Sequence, residues 1–453
     1  MKNICKKTVH FAAAFVCAFC CVLLCGCKGI NLSGENLLSP PGLNGDTALI
    51  KNALEKSVSG EYTLKYPTAG KYRSAYIPVD LTSVGRDEFA VAFYSTLAED
   101  NVVSMHMGLL KKTAGEWDGI SDVSISAVGI EKVDFFDLDS DGVLEIIVGW
   151  NVYGGVDKQV SVYSLNGVNL APRIQEDYSD FICCDLSGSG GGELLLLNFN
   201  AETFTASAKA YRILKDSVQE AGTCRLDGTV QSFYEPQISV LNNGKTAVFI
   251  DAIKNGGTQT EVILYKNGVL TAPYGDIKKG QTSPTYRNTS VICRDINADG
   301  TLEIPIIQPA PDFANQIPQE NLGIVSKWCS FDGNTLTTAM YAAMNYTDGY
   351  YFEYPKRWLG KTAIERDAES RLRTVSVWDT ETKTRLGELF KIRTITEVEW
   401  DKENNGLAAY TEITRSDGLV YVVTVGNYDG SEKTNIEEIK NLFGLISEIG
   451  KVQ

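Results

Sequence analysis

The chain has 453 residues, 43% of them hydrophobic, and a formal net charge of -15. That is enough apolar material for more than one core, and the acidic balance argues against nucleic acid or anionic lipid headgroups as partners. Only two histidines are present, His10 and His106, too few for a zinc cluster and a poor basis for Ser-His-Asp or Cys-His catalysis.

At the start, Lys2, Lys6 and Lys7 precede a short apolar run from Phe11 to Leu24, a pattern of signal-peptide type and too short for an ordinary membrane span. The run ends Leu24-Cys25-Gly26-Cys27, which resembles a bacterial lipoprotein lipobox. The resemblance implies cleavage after Gly26, lipidation of Cys27 (palmitate included) and attachment to the extracytoplasmic face of the cell membrane. Residues 1–26 are then signal peptide, and 27–45 are the lipidated cysteine and a flexible tether containing Pro40-Pro41. Losing three lysines takes the net charge from -15 to -18. Six of the eleven cysteines belong to this leader. The other five, Cys183, Cys184, Cys224, Cys293 and Cys329, leave room for one disulfide but read mainly as small core residues.

Residues 46–70 predict a short helix over Thr47 to Lys56, capped by Asp46, with Leu49, Ile50, Ala53 and Leu54 on one face. A strand over Tyr62 to Pro67 follows, expected to close a ring against the last repeat or to pack on the C-terminal region. His106 lies in an alternating strand and reads as a surface or packed residue.

The next signal is an acidic loop, Asp137-Leu-Asp139-Ser-Asp141-Gly142-Val143-Leu-Glu145, which returns as Asp295-Ile-Asn297-Ala-Asp299-Gly300-Thr301-Leu-Glu303. Four carboxylates within nine residues repel one another unless a cation sits among them. Alternate side-chain oxygens, a glycine, a backbone carbonyl and a final carboxylate suit calcium. An EF-hand is excluded, because its twelfth position falls on Val148 and Ile306. The alternative is a metal-free turn held by Asx-type bonds. Weaker copies of the frame start at Asp80, Asp185 and Ser239, so the steps are 57, 48, 54 and 56 residues. That period fits a four-stranded unit repeated along the chain.

The loop within a hairpin resembles those of the FG-GAP/VCBS family, the integrin-alpha-like β-propeller repeats. The resemblance implies a mainly β fold, a propeller of about five four-stranded blades over 71–346. It implies calcium held by Asp137, Asp139, Asp141, Glu145 and the Val143 carbonyl, and by Asp295, Asn297, Asp299, Glu303 and the Thr301 carbonyl. Asp185, Ser187, Ser189 and Glu193 form a weaker set in the third copy. Two structural Ca2+ sites are therefore expected.

Beyond residue 346 the frame stops. Strands over Arg373 to Trp378, Leu389 to Thr394, Leu407 to Ile413 and Leu419 to Val425 precede a helix opened by the capping box Thr434-Asn-Ile-Glu437. This predicts a small α+β domain over 347–453, whose opening Tyr354-Pro-Lys-Arg-Trp358 resembles PsbP-like domains. Tyr354, Trp358, Trp378 and Trp400 are candidates for a groove, though aromatic strand residues usually belong to a core. The functional expectation is a membrane-tethered monomer acting as a non-catalytic scaffold for a cell-surface protein or glycan. The alternative is a carbohydrate-active hydrolase or lyase. Outside the loops, Asp87, Glu88, Asp157 and Asp251 read as solvated single charges.

Overall fold

The structure, a computed structural model, describes residues 45–86, 88–97, 103–153, 158–215, 217–275, 281–402 and 407–449. The expected signal peptide, Cys27 and almost all of the tether lie outside the described residues, as do Asp87 and Asp157.

Helix α1 (Asp46–Ser57) opens at Gly45 without a side-chain cap. Asp46 instead sits in the first turn, 2.8 Å from the Lys112 ammonium. Ile50, Ala53 and Leu54 are buried, but Leu49 is 46% exposed, so the apolar stripe is narrower than the sequence suggested.

Six antiparallel sheets follow. In sheet 1, β1 (Tyr62–Leu64) and β2 (Tyr76–Val79) share one edge of β3 (Phe89–Leu97), and β4 (Val103–Thr113) and β5 (Glu116–Ile125) complete it. The strand expected to close a ring thus stays in its own sheet, with Tyr62 opposite Thr96. Sheet 2 is a meander of β6 (Ala127–Phe136), β7 (Glu145–Val152), β8 (Lys158–Asn166) and β9 (Asn169–Tyr178). Sheet 3 repeats it with β10 (Asp180–Cys184), β11 (Glu193–Asn200), β12 (Thr205–Leu214) and β13 (Ser217–Leu226). In sheet 4, β14 (Ser232–Phe233) and β15 (Gln237–Val240) share one edge of β16 (Thr246–Lys254), whose other edge pairs with β17 (Gly257–Lys266), and β17 pairs in turn with β18 (Val269–Thr271).

Sheet 5 contains β19 (Ile304–Ile307), β20 (Ser326–Phe331), β21 (Leu336–Asn345) and β22 (Tyr350–Glu353). Sheet 6 is β23 (Thr362–Asp367), β24 (Leu372–Trp378), β25 (Arg385–Thr396), β26 (Thr411–Ser416) and β27 (Leu419–Val425), with β27 between β25 and β26. Helix α2 (Glu397–Lys402) follows β25, and α3 (Ile436–Leu442) leads into β28 (Phe443–Leu445), which returns to pair with β22.

Each sheet packs on the next. The run Leu194-Leu195-Leu196-Leu197 shows why: alternate side chains face opposite ways, so Leu194 and Leu196 meet sheet 2 while Leu195 and Leu197 meet sheet 4. Phe93 and Trp150 join sheets 1 and 2, and Phe352, Trp358 and Phe390 join sheets 5 and 6. Helix α1 covers the other face of sheet 1. Among the described residues, no core cluster, hydrogen bond or ion pair joins sheet 1 to sheet 5 or 6.

Three further expectations change. The boundary at 346/347 falls inside the β21–β22 hairpin, and β28 ties the C-terminal segment back into sheet 5. The α3 cap is Asn435, whose side chain accepts from the Glu438 amide, one residue later than the proposed Thr434 box. The third is Asp251, approached by the run Val291 to Cys293, which forms no strand. That run is drawn onto sheet 4, where the Cys293 amide donates to Asp251 at 2.7 Å and Arg287 pairs with Asp251 at 2.7 Å. Asp251 is therefore not a solvated charge: it and Arg287 are 2% and 1% exposed.

The candidate groove aromatics are packed. Tyr354 and Trp358 are buried, Trp378 stacks on Phe313 at 5.6 Å, and Trp400 rests on the cluster around Ile395 and Val420. Cys183, Cys184, Cys224, Cys293 and Cys329 are all free thiols, and only Cys224 is not fully buried.

Candidate metal loops and a built-in cation

The loops share one backbone design. The first aspartate accepts from the amides four and five residues on: Asp80 from Val84 and Gly85, Asp185 from Ser189 and Gly190, Asp295 from Asp299 and Gly300. Asp137 keeps the second of these bonds, from Gly142 at 3.0 Å. The residues at frame positions four and six take left-handed φ: Ser83 and Gly85, Ser140 and Gly142, Gly188 and Gly190, Ala298 and Gly300. Glycine meets the second requirement at no steric cost, which explains its recurrence there.

The last acid of the frame folds back as well. One oxygen of Glu145, Glu193 and Glu303 accepts from the amide of Leu138, Leu186 and Ile296, at 2.8, 2.9 and 3.1 Å. Each of these glutamates is almost fully buried. Burial pushes Glu145 and Glu303 up to about 7, against the pull of those amides and reinforced by the neighbouring aspartates. Glu88 lacks this arrangement and pairs with Arg86 at 2.6 Å instead.

The three acidic loops differ in what faces the carboxylates. Asp137, Asp139 and Glu145 bring oxygens within 4.8 Å of one another. Asp137 Oδ1 is buried and has no hydrogen-bond partner. Burial and the nearby Asp141 charge raise Asp139. This donor set fits a hard cation such as calcium, with Asp141 at the exposed edge and its Oδ1 taken by the Val143 amide at 2.8 Å. In the Asp295 loop the carboxylates are satisfied from within. Asp299 Oδ1 accepts from the Thr301 amide at 2.9 Å and from its hydroxyl, and Asn297 donates to Oδ2 at 2.9 Å. Burial would raise Asp299, but those bonds outweigh it and hold the group below its ordinary value. The first loop thus fits a metal better than the second.

The third loop already has a cation. The Arg212 guanidinium bonds to Glu193 and, at 3.0 Å, to Ser187 Oγ. Arg212 lies across from Glu193 in β12, where sheets 2 and 5 carry Ser164 and Ser330, which donate to Glu145 and Glu303 at 3.0 and 3.1 Å. Asp185 is engaged by amides and the Ser189 hydroxyl by Ser187. The weak metal set Asp185, Ser187, Ser189 and Glu193 is therefore brought together around an arginine.

One constellation escaped sequence reasoning. Thr96 Oγ1 lies 2.9 Å from His106 Nε2, and His106 Nδ1 lies 2.9 Å from Asp122 Oδ1. Tyr94 stacks on the imidazole at 4.7 Å and donates to Asp122 at 2.6 Å. The order hydroxyl, imidazole, carboxylate matches a nucleophilic relay. However, β3 is paired on both sides at Thr96, with Tyr62 and Ser104 opposite it, so the surrounding amides serve the ladder rather than an oxyanion. Only the spacing of two adjacent hairpins could have revealed it.

No family model matches the chain, and no curated protein matches it. Among solved structures it is similar to a rhamnogalacturonan lyase from Bacillus licheniformis, at 10% identity and a TM-score of 0.31, over 80% of this chain and 90% of that one. The Dos1 propeller matches at 10% identity and 0.27, over 67% and 78%. An exo-β-1,3-galactanase from Phanerochaete chrysosporium matches at 11% and 0.26, over 82% and 96%. All three scores lie under 0.5, and none bears on which residues act.

Proposed function

We propose that this chain is an extracytoplasmic lipoprotein, tethered through Cys27, whose row of propeller-like sheets is a non-catalytic binding scaffold stapled by calcium. The ion is held chiefly by Asp137, Asp139, Asp141, Glu145 and the Val143 carbonyl. A second ion would sit at Asp295, Asn297, Asp299, Glu303 and the Thr301 carbonyl. The observation that carries this reading is the engagement of the conspicuous buried acids. Glu145, Glu193 and Glu303 close loops, Asp251 is paired with Arg287, and Asp348 with Arg371 at 2.6 Å. Acids so engaged are poor proton shuttles.

The test is thermal melting of the full chain with calcium and with a chelator. Chelation should lower the melting temperature, and Asp141→Ala should remove most of that response. An unchanged melt in chelator would sink the metal claim.

A hydrolase or lyase reading keeps one specific observation in its favour. Asp227 and Glu261 meet beside an open cleft, the Asp227 amide donating to Glu261 Oε1 at 2.8 Å. Burial pushes Glu261 up to about 8, and its Oε2 has no partner. Burial acts upward on Asp227 too, but Lys254 and Thr229 more than offset it and hold that acid low. Glycan turnover abolished by both Glu261→Gln and Asp227→Asn would establish this reading in place of the first.

A further inference from the structure

One face of sheet 3 changes character along its length. In β11, Leu194 and Leu196 are buried against sheet 2. Two and four residues further on, the same face carries Asn198 and Asn200. Strand register places Ser207 opposite Asn198 and Arg225 opposite Ser207. Asn198, Ser207 and Arg225 therefore form a row across three strands, with neighbours about 5 Å apart. At this end of sheet 3 a cleft of about 730 Å³ opens, lined by this row, by Asp177 at the end of β9 and by Ser179, which links β9 to β10 and accepts from the Phe199 amide at 2.9 Å. No described residue bonds to the side chains of Asp177, Asn198, Ser207 or Arg225.

Phe204 stands at the mouth of the cleft. It is 67% exposed, and its φ of 53° is left-handed. That conformation costs a non-glycine residue about 1 kcal/mol or more. Gly228 packs against this backbone so closely that a Cβ there would come within 2.0 Å of the Phe204 carbonyl oxygen. An exposed aromatic ring thus stands beside a row of amide, hydroxyl and guanidinium groups.

That combination matches sugar chemistry. A pyranose offers an apolar C–H face to a ring and hydroxyls that both donate and accept. Asp177 can accept from hydroxyls, Arg225 can donate to them, and Asn198 and Ser207 can do both. The cleft lies within the usual size range of ligand sites, about 300–1,000 Å³. Charge narrows the class. The chain carries -15 overall and places Asp177 in the cleft, which disfavours a polyanion.

We propose that the cleft at this end of sheet 3, beside Asp177 of sheet 2, binds a neutral oligosaccharide. Phe204 is the stacking platform, and Asn198, Ser207, Arg225 and Asp177 read the hydroxyls. This rests on the binding-scaffold reading and names its ligand class. The experiment probes the full chain on a printed array of neutral hexose and pentose oligosaccharides beside uronate-containing ones. Calorimetry with the best neutral hit then compares Phe204→Ala, Phe204→Tyr and Arg225→Ala. Neutral glycans should bind, the two alanine variants should weaken binding at least tenfold, and Phe204→Tyr should retain it. Calcium-dependent melting should be the same in all three variants. The site is refuted by an array with no bound glycan, by binding confined to uronates, or by neutral binding that both alanine variants leave intact. Cleavage of the bound glycan would retire the non-catalytic reading while leaving the site in place.

Discussion

Replacing Arg212 with serine should turn the third loop into a calcium-responsive one. Serine is what the other two acidic sheets carry at this position, Ser164 and Ser330. Without the guanidinium, Glu193 has a fully buried side chain and no cation, whereas Arg212 itself was 30% exposed. Stranding a buried charge costs about 3–5 kcal/mol, and water entering from the Arg212 side makes the lower end apply. Loops of extracellular modules bind calcium at about 10⁻⁴–10⁻³ M. At about 10 mM free calcium, ten- to a hundredfold above that range, binding returns about 1.4–2.7 kcal/mol. Titration calorimetry should count one more calcium in Arg212→Ser than in wild type. Melting in chelator should show the variant destabilised, with a larger recovery on adding calcium. Equal stoichiometry and equal recovery in the two proteins would refute the idea that the arginine stands in for an ion.

Three other outcomes are expected. Arg287→Ala should cost about 3–5 kcal/mol in denaturant unfolding, since it strands Asp251, and a joint Arg287→Met, Asp251→Leu change should recover much of that; a loss under 1 kcal/mol would contradict it. Glu261 sits at about 8 when folded, above its ordinary 4.5, so the folded chain holds the extra proton and this group's stabilising contribution fades as pH rises from about 4.5 through 8. Glu261→Gln should flatten the stability profile across that window and melt higher than wild type at pH 8. Thr96, despite its bonds to His106, should not react with a fluorophosphonate probe; labelling abolished by His106→Ala would show that the relay is a working nucleophile.

The repeat was legible because its frame is written in residues with few alternatives. In four of the five copies an aspartate accepts from the amide of a glycine five residues on, and that glycine takes left-handed φ, so those positions mark the hairpin even when the ligands are gone. The central strands were legible for a related reason: a run such as Leu194 to Leu197 is apolar on both faces only if both faces are covered. What remained hidden depends on partners distant in sequence. Nothing near Asp251 announces that Arg287 will reach it, and nothing near Glu193 announces Arg212, nineteen residues on. The same holds for β28, whose three residues pair with a strand about ninety positions earlier, so the boundary at 346 looked real. Cap positions near Thr434 shifted by one because Asn435 and Glu438 offer the same capping chemistry in the next frame.

Loop and cleft lie at opposite ends of the same strands. β11 begins at Glu193, where the Gly192 amide donates to the Asp137 carbonyl at 3.2 Å, and ends at Asn200, beside the cleft. The two sheets meet at the loop end through that bond and at the cleft end through Ser179, which donates to the Leu197 carbonyl and accepts from the Phe199 amide, with Leu194, Leu196 and Phe181 packed between. Asp137 and the arginine-bound Glu193 are neighbours at the loop end. A single strand therefore serves both ends, and a change in its buried middle, at Leu194 or Leu196, reaches loop and cleft together.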